Sequence, residues 1–328
     1  MADCNAIDVD VDRLTCYDRR AGRGPRTSDP KESGPSPAAA ANSEQAAAAA
    51  RVATTEERLA ESLTLSTVWE LAPADQRGTF KLLPHQTNYL LPVRWSSAIN
   101  TRPFSPAPEH GQSERLPIQP FEAKFQFSVK TKAVENIFGQ GSDLWLAYTQ
   151  QSNWQIYNGS GSSPVRENDY EPEAILSFAT DADVLGWRWR LLNIGLVHQS
   201  NGRPLPLSRS WNRVTAQFGF ERGGWTLLAR PWFRIPESSS GDDNPDIVKN
   251  LGWGDLRASY QRNGNVWSAL GRINPRSGRG SLQLDWAFPL SGALRGYLQV
   301  TDGRGESLVD YNHSQTTIGF GLLLLPWQ

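Results

Sequence analysis

The sequence predicts an all-β protein, a twelve-stranded antiparallel transmembrane β-barrel with a flexible N-terminal extension. Three observations predict it. From about Thr79 the chain breaks into twelve short runs of alternating apolar and polar residues, an even number, as barrels of this kind have. Tight turns such as Gly223-Gly224, Asn263-Gly264 and Ser291-Gly292 join several runs, while longer loops at 98–118, 158–170, 201–209, 237–247 and 303–313 fall in every second connection. Short turns at one end of the strands and long loops at the other are the outer-membrane pattern. Aromatic residues on the runs, including Tyr89, Trp95, Tyr148, Trp154, Trp225, Trp232, Trp253, Trp267, Trp286, Tyr297 and Trp327, suit girdles at two membrane interfaces. They would serve equally as core aromatics of a β-sandwich, which has no need of the loop asymmetry.

Bulk composition narrows the partners more than the fold. A net charge of −1 with no basic block gives no nucleic-acid footprint. No run of eighteen apolar residues exists, which excludes a transmembrane helix. The mean hydropathy of −0.50 does not separate a soluble protein from a membrane barrel, because alternating lipid-facing and lumen-facing residues average to a polar chain.

The first element is a cysteine-bracketed segment over residues 1–20. The N terminus lacks the basic-then-apolar pattern of a secretory signal, so either such a segment has been removed or the protein is not exported. Cys4 and Cys16 flank a stretch in which Ile7, Val11 and Leu14 have helical spacing. A local disulfide would form in an oxidising compartment, and two free thiols would remain in a reducing one. Residues 21–77 then read as a low-complexity linker, rich in Gly, Pro, Ser and Ala, with helix formers over 46–63 sufficient for one short helix. All 13 tryptophans lie at position 69 or later, so the folded body lies C-terminal to the linker, over 78–328.

The strands follow at 86–96, 119–131, 143–157, 171–181, 187–200, 210–222, 224–236, 248–262, 265–274, 279–289, 292–302 and 314–326. Prolines 92, 231 and 326 inside these runs count against a closed sheet, since proline gives no ladder donor.

One pair of strands carries chemistry. Period-two alternation places Leu192, Ile194, Leu196, His198 and Ser200 on one face, and Asn212, Val214, Ala216, Phe218 and Phe220 on one face of the next run. Paired as a hairpin, the two apolar stripes match, and each ends on the loop side in polar residues. Ser200 can attack a carbonyl, His198 can take its proton as general base, and Asn212 can orient the imidazole. An apolar stripe with this triad at its rim suits a lipid substrate. The bland alternative is a loop-end histidine beside ordinary Asn-Gly turn chemistry. A second unusual strand, 143–157, carries Gln150 in the middle of an otherwise apolar face, which is costly in lipid unless the amide is paired and so points to a protein contact within the membrane.

The motif His198-Gln199-Ser200-Asn201-Gly202-Arg203, followed by Ser208-Arg209-Ser210-Trp211-Asn212-Arg213, resembles the signature of bacterial outer-membrane phospholipase A. The resemblance extends through Tyr148-Thr149-Gln150, Ser162-Ser163-Pro164 and Asn168-Asp169-Tyr170-Glu171-Pro172, and returns at Asp242–Asp246 and Gly305–Asn312, covering most of the chain from Thr79. It implies a calcium-dependent homodimeric barrel in the outer membrane that hydrolyses acyl esters of outer-leaflet membrane phospholipids, as phospholipase A1/A2 and lysophospholipase. By position it implies Ser200 as nucleophile, His198 as base and Asn212 as its orienter. It further implies Ca2+ held by the Arg203 carbonyl and Ser208 hydroxyl of one subunit with Ser162 of the other, and Gln150 at the dimer interface; the N-terminal extension, which has no counterpart in that family, is expected on the periplasmic side. A porin or passive structural barrel needs only the strands, and twelve strands leave little room for a wide channel.

Overall fold

The computed structural model describes residues 4, 9–22, 64–159, 164–292 and 294–325. The chain divides into two units, 1–52 and 53–328. In the first, helix α1 (Asp10–Arg20) lies beside the Cys4–Cys16 disulfide, so the two cysteines are paired. The helix expected over 46–63 falls outside the described residues.

The second unit is a closed antiparallel barrel. Its strands are β2 (Asn88–Ser96), β3 (Phe121–Val134), β4 (Ser142–Trp154), β5 (Val165–Val184), β6 (Trp187–Ser200), β7 (Ser210–Arg222), β8 (Trp225–Arg234), β9 (Gly254–Arg262), β10 (Asn265–Asn274), β11 (Arg279–Ser291), β12 (Leu294–Arg304) and β13 (Ser314–Leu325). Each pairs with the next, and β13 pairs with β2, so no barrel edge is left open. A short β1 (Leu82–Pro84) runs along β3 just beyond the end of β2, which leaves the strand count at twelve. Two-residue turns with left-handed backbone, Leu185-Gly186 and Asn263-Gly264, close two of the hairpins at one end. The other end carries the connections 97–120, 155–164, 201–209, 235–253 and 305–313, with a tight exception at 275–278.

Three sequence expectations change. Residues 248–251 are not strand but part of helix α3 (Ile247–Leu251), and β9 starts only at Gly254. Strand β5 begins at Val165, inside the loop expected over 158–170. Pro92 does not oppose closure, because it sits in a bulge between Leu91 and Arg94. That bulge also resets the alternation, so that Tyr89 and Leu91 before it and Arg94 and Ser96 after it are all buried.

The aromatic belt is only part of the expected set. Trp225, Tyr260 and Trp267 stack side by side near the short-turn end, with ring centroids 4.8 and 6.0 Å apart. Tyr89, Tyr297 and Trp232 instead point inward: the two tyrosines stack at 5.2 Å, and Trp232 meets Trp211 edge to face at 6.0 Å. Trp253 precedes β9 rather than lying on it.

The lumen is filled. At the short-turn end, helix α2 (Leu65–Trp69), capped by Thr64, packs Leu65 and Trp69 against Trp145, Leu191 and Leu228. Gly219 makes this approach feasible, since a Cβ there would lie 2.8 Å from a Leu65 methyl. Trp69 carries the Lys130 ammonium 3.3 Å above its ring, and the neighbouring Glu70 pairs with Lys132 at 2.8 Å. Among the described residues, the packing of the barrel reaches back at least to Thr64. At the loop end Trp211, Trp232, Ile247, Leu251, Leu308 and Tyr311 form a second apolar cluster. Buried ion pairs also occupy the lumen, including Arg166–Glu122 at 2.7 Å, Lys124–Glu306 at 2.6 Å and Arg230–Asp255 at 2.7 Å. They leave a polar cavity of about 110 Å³, too small for a porin-like channel.

Candidate active site

The β6–β7 hairpin forms with the register that alternation requires. Leu192 faces Phe218, Ile194 faces Ala216, Leu196 faces Val214, and His198 faces Asn212. Their neighbours Leu191, Asn193 and Val197 are buried in the lumen, so the apolar stripe lies on the outer, lipid-facing surface. Ser200 is the last residue of β6 and stands opposite Ser210. The three residues thus sit at the loop-end rim of one outward face.

His198 and Asn212 are joined directly. Nδ1 of His198 lies 2.8 Å from Oδ1 of Asn212. Asn212 Nδ2 donates to Oε1 of Glu237 at 2.8 Å, and Glu237 Oε2 pairs with Arg234 Nη2 at 3.1 Å. The backbone adds a further tie, since Ile235 N–H donates to Asn212 O at 2.8 Å. Ser200 shares the outward face of His198, but among the described residues no hydrogen bond joins the two side chains. Catalytic contacts of this kind commonly tighten only with substrate bound. Beside the pair an open groove of about 490 Å³ is lined by Pro172, Ala174, Leu196 and Ile235, an apolar track that ends at His198 and Asn212.

The connection 201–209 is ordered by a buried side chain. Asn201 Oδ1 accepts from the Arg209 amide at 2.9 Å, and its Nδ2 donates to Glu167 and to the Leu207 carbonyl, both at 2.8 Å. Arg203 is held with its guanidinium against the Arg166 carbonyl and 3.7 Å from Glu167. Ser208 Oγ donates to Asp243 Oδ2 at 2.7 Å, and Ser210 Oγ donates to the same oxygen at 3.2 Å. The other oxygen of Asp243 meets His110 Nε2 at 3.0 Å.

Of the residues implied as calcium donors, Arg203 and Ser208 share this one loop, and Ser162 lies outside the described residues. Among the described residues there is no cluster of three or more His, Cys, Asp or Glu arranged for a metal. The donor chemistry nevertheless suits a hard cation: the Ser208 proton is committed to Asp243, which leaves the hydroxyl lone pairs free for coordination. Gln150, on the outward face of β4, has a partner on each side within the chain. Its Oε1 accepts from Tyr148 at 3.3 Å and its Nε2 donates to Ser152 at 3.1 Å.

Glu237 and Asp243 were not legible as site residues. Both lie in the β8–β9 connection, 25 or more residues from their partners, and no local spacing ties them to His198 or Ser208. The one sequence signal was the Asp242–Asp246 stretch, which entered only through the family resemblance.

A sealed twelve-stranded barrel with a histidine–asparagine pair and a serine at its lipid-facing rim defines a hydrolytic β-barrel of the outer-membrane class. The family described as Phospholipase A1 matches residues 65–324, and the chain belongs to that family. A phospholipase A1 of Klebsiella pneumoniae is 39% identical over 250 residues, covering 76% of this chain and 84% of that protein. The outer membrane phospholipase of Salmonella typhi, solved as a dimer with bound calcium, superposes with a TM-score of 0.69 at 38% identity, covering 76% of this chain and 94% of its own. The outer membrane phospholipase A of Escherichia coli carrying an asparagine-to-alanine change in its active site gives a TM-score of 0.69 at 36% identity, covering 79% and 98%. The fold and these relatives place the protein in the outer membrane.

Proposed function

We propose that the barrel hydrolyses acyl esters of phospholipids in the outer leaflet, with Ser200 as nucleophile, His198 as general base and Asn212 as the residue that orients it. The single observation that carries this is the 2.8 Å contact between His198 Nδ1 and Asn212 Oδ1 at the rim of a lipid-facing groove. An acceptor at Nδ1 calls for the proton on that nitrogen, which leaves the lone pair on Nε2 for the serine hydroxyl. Ser200 Oγ attacks the ester carbonyl carbon while its proton passes to Nε2. The proton then goes to the departing alcohol oxygen, leaving a fatty acyl ester on Ser200. Water, deprotonated in turn by His198, releases the fatty acid and restores the serine. The groove receives the acyl chain without taking it out of an apolar environment, so the chemistry is brought to the membrane rather than the lipid to water. The asparagine in the active site of the related E. coli enzyme supports the role given to Asn212.

Calcium is the cofactor of this reading. The Arg203 carbonyl and Ser208 hydroxyl would hold it with Ser162 of a second copy, and once bound it supplies positive charge to stabilise an oxyanion beside Ser200. The calcium-bound dimer of the S. typhi relative supports both the ion and the assembly. Gln150 lies at the dimer face of β4, where its second amide proton is available to a partner. The catalytic body is the 78–328 barrel with the packed segment from Thr64, and the linker and the disulfide-bonded segment lie on the periplasmic side.

The test is release of fatty acid from phospholipid in detergent micelles, with calcium and with a chelator, for the parent and Ser200→Ala. Calcium-dependent hydrolysis that disappears in a folded Ser200→Ala variant is expected. Hydrolysis of equal rate by that variant would remove Ser200 from the mechanism.

A further inference from the structure

We propose that Glu237 is a positioning residue for hydrolysis, which holds the Asn212 amide in the one orientation that leaves His198 able to act as a base. The inference rests on the Ser-His-Asn reading and extends it to a fourth residue. The oxygen and nitrogen of an asparagine side chain have nearly the same shape, so only its hydrogen-bond partners decide which way round it sits. His198 cannot decide it, because a neutral imidazole can present either a donor or an acceptor at Nδ1. Glu237 can. Its carboxylate, paired with Arg234, offers acceptors only, and it receives Asn212 Nδ2 at 2.8 Å. The opposite orientation would set Asn212 Oδ1 against the carboxylate, two acceptors facing each other. With Nδ2 committed to Glu237, Oδ1 faces His198 Nδ1 at 2.8 Å and requires a proton there. The flipped amide would instead donate to Nδ1, place the proton on Nε2, and leave nothing to accept the Ser200 hydrogen.

The geometry also fixes Glu237 itself. Arg234 Nη2 donates to Glu237 Oε2 at 3.1 Å and to Asp242 Oδ1 at 2.5 Å, and Arg234 Nη1 donates to the Asn244 carbonyl at 3.2 Å. The Glu237 and Arg234 side chains are only 17% and 11% exposed, so water competes weakly for these bonds. Glu237 lies just beyond Ile235, whose backbone N–H donates to Asn212 O, so one short segment grips Asn212 by its main chain and its amide.

The experiment uses the full chain in detergent micelles with calcium, with folding followed by heat-modifiable migration of the barrel. Glu237→Ala is expected to lower kcat on the order of tenfold with KM unchanged, a fraction of the roughly 10²–10⁴-fold that a positioned general base contributes. Glu237→Gln gives its carbonyl to Arg234 and turns its NH2 toward Asn212, which favours the flipped amide, and is expected to lower kcat at least as much as Glu237→Ala. The decisive arm is a swap. Asn212→Asp sets two carboxylates against each other and is expected to be poorly active; adding Glu237→Gln supplies an amide donor to the carboxylate introduced beside His198 and is expected to raise kcat at least about tenfold over Asn212→Asp alone. A merely structural Glu237 would make the double variant no better than the single. A double variant equal to or worse than Asn212→Asp, or a folded Glu237→Ala with the parent's kcat, overturns the proposal while leaving the triad standing. His198→Ala and Ser200→Ala run alongside: full activity in either would overturn the triad and this inference together.

Discussion

Replacing Glu306 by glutamine should remove a defined part of the barrel's sensitivity to acid. Glu306 begins the connection after β12, yet its side chain is buried, with Oε1 2.6 Å from Lys124 Nζ and 3.1 Å from Arg94 Nη2. Burial pushes its carboxyl up, but the Lys124 and Arg94 charges outweigh burial and hold it down to about 2. A carboxyl depressed in the folded state stabilises the fold above its ordinary value near 4.5, and that contribution fades as the pH falls toward about 2. The depression corresponds to about 3 kcal/mol, of which roughly 2 kcal/mol is lost between pH 5 and pH 3. Glu306→Gln keeps an acceptor for Lys124 but carries no titrating charge. It should be less stable at neutral pH by about 3–5 kcal/mol, because two buried cations lose a counter-charge. Between pH 5 and pH 3, however, it should lose roughly 2 kcal/mol less than the parent. Urea unfolding in detergent micelles, followed by tryptophan fluorescence at pH 7, 5 and 3, measures both quantities. Asp310, also in this connection and held low against burial by Arg166, contributes equally to parent and variant and cancels in the difference. A variant that loses as much stability between pH 5 and pH 3 as the parent would refute this account of Glu306.

Three further outcomes follow from the same structure. Ser200→Ala should fold normally and lose on the order of a thousandfold or more in hydrolysis rate, measured as fatty-acid release; an active, folded variant removes the nucleophile assignment. Trp69→Ala should cost about 3–5 kcal/mol in the unfolding assay, and a fragment starting at Thr64 should refold to a heat-modifiable barrel more stably than one starting at Thr79; equal stability of the two fragments would show that α2 is not part of the core. Gln150→Ala and Ser162→Ala should each raise the calcium concentration needed for activity, with crosslinked dimer appearing in parallel with hydrolysis, since an ion site shared between subunits links calcium and dimerisation reciprocally. Full calcium-dependent activity from a monomer defined by sedimentation would discard the shared site.

Alternation and turn chemistry determined the strand number, the loop asymmetry and the pairing of His198 with Asn212, because period two and a hairpin register are local properties of two adjacent runs. The direction in which aromatic residues point was not local. Tyr89 and Trp232 look like girdle residues in the sequence, but both are buried in the lumen, and only closure of the sheet decides which face is the inside. The plug by Leu65 and Trp69 was hidden because the residues around it compose like a linker, and five residues of helix carry too little periodicity to read. For the candidate site, the sequence by itself brought His198, Ser200 and Asn212 together, since they share one face of two paired strands. The groups that orient them, Glu237 on Asn212 and Asp243 on Ser208, were decided only by the tertiary structure, which folds the β8–β9 connection back over the hairpin and so brings together side chains that no spacing along the chain relates.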